Sequence, residues 1–429
     1  MAKTRTLVIR NGRVIDPANG LDGRLDLFIS DGRIAAVGSP PADFEAEQEI
    51  DASGRIVCPG LIDLCARLRE PGFERKGNLS SETAAAARSG ITTLCCPPDT
   101  DPVIDSAAVA TLITRRAAQI TKARVQPIGA LTKGLKGEQL SGMAELRDAG
   151  CIALGNADAP FASTLVQRRA MEYAATFDLS VILRPQDHAL KDKGYVHEGA
   201  VASRLGLPGI PEAAETVGLA RDLALARHAG CRVHFHALST GAAVRQLQQA
   251  QQDRLPVSAD VAAHQLHLTE LDVDGFAAHC HVDPPLRTLE DRRALRQAVA
   301  EGSIAAICSD HQPHEPDAKR APFPSTAPGI SGLETLLPLT LRLVWEGVLE
   351  LPQAIARLTC GPADLLRLPL GRLTPGLEAD ICIFDPEAVW ILSEEQMQSA
   401  GKNSPFLGWE FQGRVTHTLL KGRVVYQGP

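Results

Sequence analysis

The 429-residue chain has no apolar run approaching the roughly 20 residues that span a bilayer, so no transmembrane helix is expected. Its opening, MAKTRTLVIRNG, lacks the apolar core of a signal peptide, and a cytoplasmic location is expected. None of the ten cysteines stands in a CxxC pair, which removes the zinc-ribbon and dithiol-redox readings. Most sit singly in apolar runs, as Cys151, Cys231, Cys308 and Cys382 do, and read as reduced core thiols. Positive charge is not in excess: 44 Lys and Arg against 51 Asp and Glu give a formal charge of -7, which disfavours nucleic acid or an anionic membrane as partner. A Walker loop, a dinucleotide fingerprint and a nucleophile elbow are also missing from any strand-to-helix context.

What is present is a hydrophobic content of 44%, enough for a large core, in a chain long enough for two domains or one barrel with an attachment. TLVIRNGRVID, RLDLFISDGRIAAVG and EIDASGRIV read as short strands, with Asn-Gly, Asp-Gly and Ser-Gly marking turns. GLEADICIFDP and VTHTLLKGRVVYQG repeat that pattern at the other end. Residues 1–55 and 374–429 are therefore expected to meet in one β-sandwich. The middle, 56–373, alternates strand-like runs (IVCPGLIDLCA, ITTLCC, RVQPIGAL, CIALGN, LSVILRP, CRVHFHA, LPVSADV, IAAICSD) with helical stretches. In PEAAETVGLARDLALARHAG, Pro211 suits a first helical turn and Gly230 a stop, and TLEDRRALRQAVAEG opens on Thr288. Eight such units indicate an α/β fold, a (β/α)8 barrel, whose chemistry lies at the C-terminal strand ends.

At the first of those ends, in CPGLIDLCARLREPG, Asp63, Cys65 and Arg67 alternate and so share a face. A His-x-His pair there would hold a metal; arginine has no lone pair to offer, and one cysteine needs further partners. The next loop brings Arg69, Glu70, Glu74 and Lys76 to the rim, where an arginine could grip a carboxylate or form a surface ion pair. On the sixth strand, His234 and His236 also share a face, as metal ligands or as packed, hydrogen-bonded histidines. CSDHQPH, at the eighth, offers Asp310, His311 and His314 as ligands, a general base or loop caps.

Together with PGLIDLCARLREPG, the stretches SGITTLCCPPDT, TKGLKGEQLSGMAELRDAG, EGAVASRLGLPGIPEAAE, HVDPPLR, CSDHQPHEPDAKR, PGISGLETLLPL and GLEADICIFDP carry a resemblance over almost the whole length to dihydroorotase of the amidohydrolase superfamily. The resemblance implies a metal-bearing barrel with a β-sandwich built from both termini. It also locates the departures. The two first-strand histidines of an active member fall at Cys65 and Arg67, the metal-bridging acid at Asn156, the fifth-strand histidine at Arg184 and the sixth-strand ligand at Ala237. His234 matches a non-ligand histidine, and His236 stands one place out of register, which would turn it to the opposite face. Of the ligand set only Asp310 remains.

Arg69 matches the carboxylate-binding arginine, whereas two substrate-binding asparagines are Asp99 and Asp283, whose charges would repel an anionic substrate. Arg67 and Arg184 are expected to supply positive charge in place of metal, with a guanidinium beside Asp310. Loss of a metal that lowers the pKa of water from 15.7 to about 7 withdraws most hydroxide at neutral pH. The resemblance thus implies a noncatalytic, metal-free, cofactor-free chain of the kind found with some bacterial aspartate carbamoyltransferases. Such a chain would be a structural subunit binding the carbamoyltransferase catalytic chain in a hetero-oligomer of pyrimidine biosynthesis. Two alternatives stay open: an active zinc amidohydrolase drawing on Cys65, His234, His236, Asp310 or His314, and a ligand sensor using Arg69.

Overall fold

Short apolar runs buried at nearly every position become eight parallel strands, as expected where a sheet is covered by side chains on one face and helices on the other. In the computed structural model, which describes residues 6–428, these are β1 (Leu61–Asp63), β2 (Ile91–Cys96), β3 (Arg124–Ala130), β4 (Ala153–Gly155), β5 (Val181–Leu183), β6 (Val233–Phe235), β7 (Val257–Ala262) and β8 (Ala306–Cys308). They pair in chain order from β1 to β8. The circle closes just beyond the ends of β1 and β8, where Ala66 bridges His311. There the Arg67 N–H donates to His311 O at 2.9 Å and the His311 N–H to Cys65 O at 3.1 Å. Backbone pairing alone therefore sets residues 65, 67 and 310 side by side.

Small and medium side chains fill the barrel interior: Leu64, Cys95, Ile128, Ala153, Ala262, Ala306 and Cys308 form one buried cluster, separate from the larger core between strands and helices. All ten cysteines are free thiols, and all but Cys360 are fully buried. The helix Glu212–Ala229 follows Pro211 and ends on Gly230 at φ 63°, the left-handed stop that glycine adopts without a Cβ clash. The helix Leu289–Glu301 opens with a reciprocal cap: Thr288 accepts from the Asp291 N–H while the Asp291 carboxylate accepts from the Thr288 N–H. No described helix is long and apolar enough to cross a membrane.

Both chain ends enter one six-stranded sheet, ordered Arg423–Gln427, Glu410–Leu420, Ile381–Ile391, Ile56–Pro59, Arg13–Asp16, Leu21–Arg24. A four-stranded sheet with Thr6–Arg10 and Leu27–Ser30 near its centre lies with it around Leu7, Ile9, Val57, Ile381 and Leu419. The sandwich takes four residues more than expected. Ile56–Pro59 pairs with Ile381–Ile391, and the barrel starts at Leu61. The apolar run IVCPGLID is thus two strands in two sheets. The hinge between them is Gly60, where a Cβ would come within 2.3 Å of Thr92 Oγ1.

Candidate functional site

The seam between β1 and β8 spends the first acid of the site. Asp63 is fully buried and accepts from the Ser309 N–H at 2.8 Å and from the Ser309 hydroxyl. Burial pushes its carboxyl up to about 7 despite those bonds. Asp63 thus ties two strand ends together rather than facing the mouth.

Above it lies a closed ionic network. Arg67, 6% exposed, reaches Asp99 through Nε at 2.6 Å, Asp158 through Nη2 at 2.6 Å and Asp310 through Nη1 at 3.3 Å. Arg184 shares Asp158 at 2.8 Å and pairs with Asp283, which Lys191 also holds. The anticipated guanidinium beside Asp310 is present. For Asp158, burial favours the neutral acid, but Arg184 and Arg67 outweigh it and hold the carboxyl well below the usual range. Asp283 is held down in the same way, burial being outweighed by Arg184 and Lys191. The expected repulsion by Asp99 and Asp283 is therefore not what the fold delivers. Asp99 contacts Arg67, which it shares with Asp158 and Asp310, and Asp283 contacts Arg184 and Lys191, so most of the added negative charge is offset at the mouth. Such a network offsets the desolvation of its members more than it adds net stability.

A second cluster lies beside Asp310. The fully buried Asp260, on β7, accepts the Ala237 N–H at 2.7 Å and contacts His234 Nε2 at 3.0 Å and His236 Nδ1 at 3.0 Å. Burial disfavours charge on His236, but Asp260 and the Cys65 sulfur override it, and its pKa stands well above the ordinary value. His236 Nε2 is 3.7 Å from Asp310 Oδ1. The expectation that His236 faces away from the site is thus corrected. β6 ends at Phe235, and His234 and His236 keep the inward phase, while Ala237 has left the strand at φ 55° and follows no strand alternation. Ala237 contributes only its backbone N–H.

The other expected residues divide. Asn156 is committed locally, accepting from Thr132 Oγ1 at 2.8 Å and donating to Ala159 O at 3.2 Å. Arg69 donates to Pro313 O at 3.1 Å and lies 3.4 Å from His314 Nε2, with no carboxylate at ion-pair distance among the described residues. Burial and the neighbouring Arg67 charge lower its pKa to about 10. His314 is brought down to about 3 by burial and by Arg69. His311 belongs to the core, fully buried between Glu82 at 2.8 Å and the Gly332 N–H at 3.1 Å. Glu70 accepts from the Leu79 N–H and pairs with Arg116, Glu74 accepts from the Gly72 N–H, and Lys76 lies over the Phe73 ring at 5.9 Å.

Sequence reasoning missed Asp158, Asp260 and Lys191. Asp260, a lone acid inside an apolar strand run, was a usable signal, because a buried carboxylate needs partners. Asp158 follows Asn156 by two residues, close to where an acid was sought. Lys191 carries no local signal.

The kinship of the chain is decided along its full length. A dihydroorotase-like protein of Pseudomonas aeruginosa is 53% identical over 423 residues, covering 99% of this chain and 100% of that one. The chain belongs to the dihydroorotase-like family. The family described as Dihydro-orotase-like matches residues 54–242. A protein named Dihydroorotase, from Syntrophotalea carbinolica, is 45% identical over 421 residues, covering 98% of this chain and 99% of its own. The solved L-hydantoinase (dihydropyrimidinase) of Arthrobacter aurescens shares the fold, with a TM-score of 0.89 at 24% identity over 98% of this chain and 96% of that one.

For this dihydroorotase-like chain, the metal pair implied by the resemblance can be tested against the residues present. Arg67 and Arg184 are cations without a lone pair, Ala237 ends in a methyl, and the Asn156 amide is already bonded. These positions do not fit a metal pair. Asp310, buried yet held below the ordinary carboxyl range by His236 and Arg67, is a weak base.

Proposed function

We propose that this chain is a noncatalytic dihydroorotase homologue that acts as a structural subunit. In this reading it binds the catalytic chain of aspartate carbamoyltransferase and supports its assembly and activity in cytoplasmic pyrimidine biosynthesis. The observation that carries the noncatalytic part is the Arg67–Asp158–Arg184 bridge. Two guanidiniums and a shared carboxylate stand where the resemblance implies metal ligands and their water. The four carboxylates of that network share three cations. Asp158, Asp283 and Asp310 are held below the ordinary carboxyl range, which disfavours them as general bases for cyclic-amide hydrolysis. The partner follows from the resemblance to noncatalytic chains found with that enzyme, and a folded barrel with an inert mouth suits it.

The test uses the full-length chain and the carbamoyltransferase catalytic chain from the same genome, mixed and separated by size. Co-elution with a gain in carbamoyltransferase activity is the expected result. A carbamoyltransferase that is fully assembled and fully active alone overturns the reading. Dihydroorotate turnover by the zinc-supplemented chain would instead favour an active amidohydrolase with an unconventional site, a second reading that draws on the convergence of Cys65, His236 and Asp310.

A further inference from the structure

Beneath the guanidinium network, three side chains of different chemistry converge. Cys65 Sγ lies 3.8 Å from Asp310 Oδ1, and His236 Nε2 lies 3.7 Å from the same oxygen. All three donor atoms fall within 4.8 Å of one another. Bonds of about 2.3 Å from zinc to sulfur and about 2.0–2.1 Å to nitrogen or oxygen give a tetrahedron with edges of roughly 3.3–3.6 Å. The two measured separations exceed those edges by only a few tenths of an ångström.

We propose that Cys65, His236 and Asp310 form a mononuclear site for a thiophilic divalent cation of the zinc class, which fastens the β1–β8 seam and takes no part in hydrolysis. Cys65 and Asp310 stand at ligand positions that the resemblance implies, but only Asp310 keeps the residue type expected there. Cys65 offers a thiolate where an imidazole is expected, and His236 stands one residue before Ala237. The set is softer than an all-His and carboxylate one, and it has no bridging acid.

Three further observations support the site. Asp260 holds His236 through Nδ1 at 3.0 Å and so turns Nε2 toward Cys65 and Asp310, the arrangement by which carboxylates orient metal-binding histidines. Asp260 is itself fixed by His234 and the Ala237 N–H. The imidazole of His264, 2% exposed and under the electrostatic influence of Asp310, has an Nε2 with no hydrogen-bond partner. Charge also balances, because a thiolate and a carboxylate neutralise a dication. Arg67, on losing part of its 3.3 Å contact to Asp310, keeps Asp99 and Asp158. Binding removes the thiol proton of Cys65, which passes to solvent.

The experiment is a cadmium titration of the full-length, chelator-treated, reduced protein, followed by thiolate-to-cadmium absorption and by proton release. The expected result is saturation at one equivalent per chain with loss of protons. Cys65→Ser should abolish the band, Cys308→Ser should keep it, and Asp260→Asn should weaken binding about 10–100-fold. No saturable band in the wild-type protein, a band that survives Cys65→Ser, or one lost in Cys308→Ser overturns the site. Should Cys65→Ser fail to fold by circular dichroism, His236→Gln carries the test. A tenfold or greater loss of affinity supports the site and unchanged affinity refutes it. The site stands or falls apart from the scaffold reading: turnover by the loaded protein would remove the latter and leave the former.

Discussion

Replacing Arg67 by Met keeps the volume of the side chain and removes its charge, leaving Asp99, Asp158 and Asp310 without a shared cation. The three do not suffer equally. The side chains of Asp99 and Asp158 are 29% and 40% exposed and can be rehydrated, whereas Asp310 is 4% exposed and cannot. Stripping one partner from a buried pair costs about 3–5 kcal/mol, and with two of the three acids rescued by water the lower end, about 3 kcal/mol, applies. An unfolding entropy of about 2.1 cal/mol/K per residue over 429 residues is roughly 0.9 kcal/mol/K, so the melting temperature should fall by about 3 °C. Differential scanning calorimetry on the metal-free protein measures this. Adding Asp310→Asn should restore more than half of the loss, because it removes the stranded charge. A melt of Arg67→Met within about 0.5 °C of wild type, or a double variant no better than the single, would refute the reasoning.

Three other outcomes follow from the same geometry. Asp158→Asn should destabilise the chain by about 1–2 kcal/mol in chemical denaturation, since it leaves the Arg67 and Arg184 guanidiniums facing each other without the acid between them. Arg69→Met should cost clearly less than Arg67→Met in the same melts, because Arg69 donates to the Pro313 carbonyl but has no ion-pair partner among the described residues. The folded pKa of Asp283 is depressed, so its contribution is complete above the unfolded value of about 3.9 and is lost as pH falls through the lower folded value. Wild-type stability should therefore decline on acidification below about pH 4, and Asp283→Asn should flatten that decline in pH-dependent urea melts.

The barrel and the composite sandwich were legible because local rules encode them. Buried runs of strand length, Gly230 after a helix, the Thr288 cap and paired turn signals each act within a few residues. The electrostatics of the mouth were not legible, because Arg67 meets Asp158 across 91 positions and Asp310 across 243, distances over which no periodicity carries information. The substituted positions 65, 67, 184 and 237 could be found by resemblance, but the new partners they acquired could not. Asp99 and Asp283 were misjudged for this reason: read singly they are added negative charge, and read with Arg67, Arg184 and Lys191 they are counterions. The orientation of His236 was missed because register was counted along a strand that ends one residue earlier.

The shared carboxylate of Asp158 also bears on history. Two arginines from different strand ends lean on one acid, and each has a further acid of its own. A single replacement of Arg67 or Arg184 by histidine would leave the other arginine in place and loosen at least two carboxylates. Each such single replacement is thus a loss of stability that completes no metal-binding set of the kind the resemblance implies. In the noncatalytic reading proposed above, the bridge works as a ratchet, and a lineage that has built it would be expected to keep it for as long as the fold itself is useful.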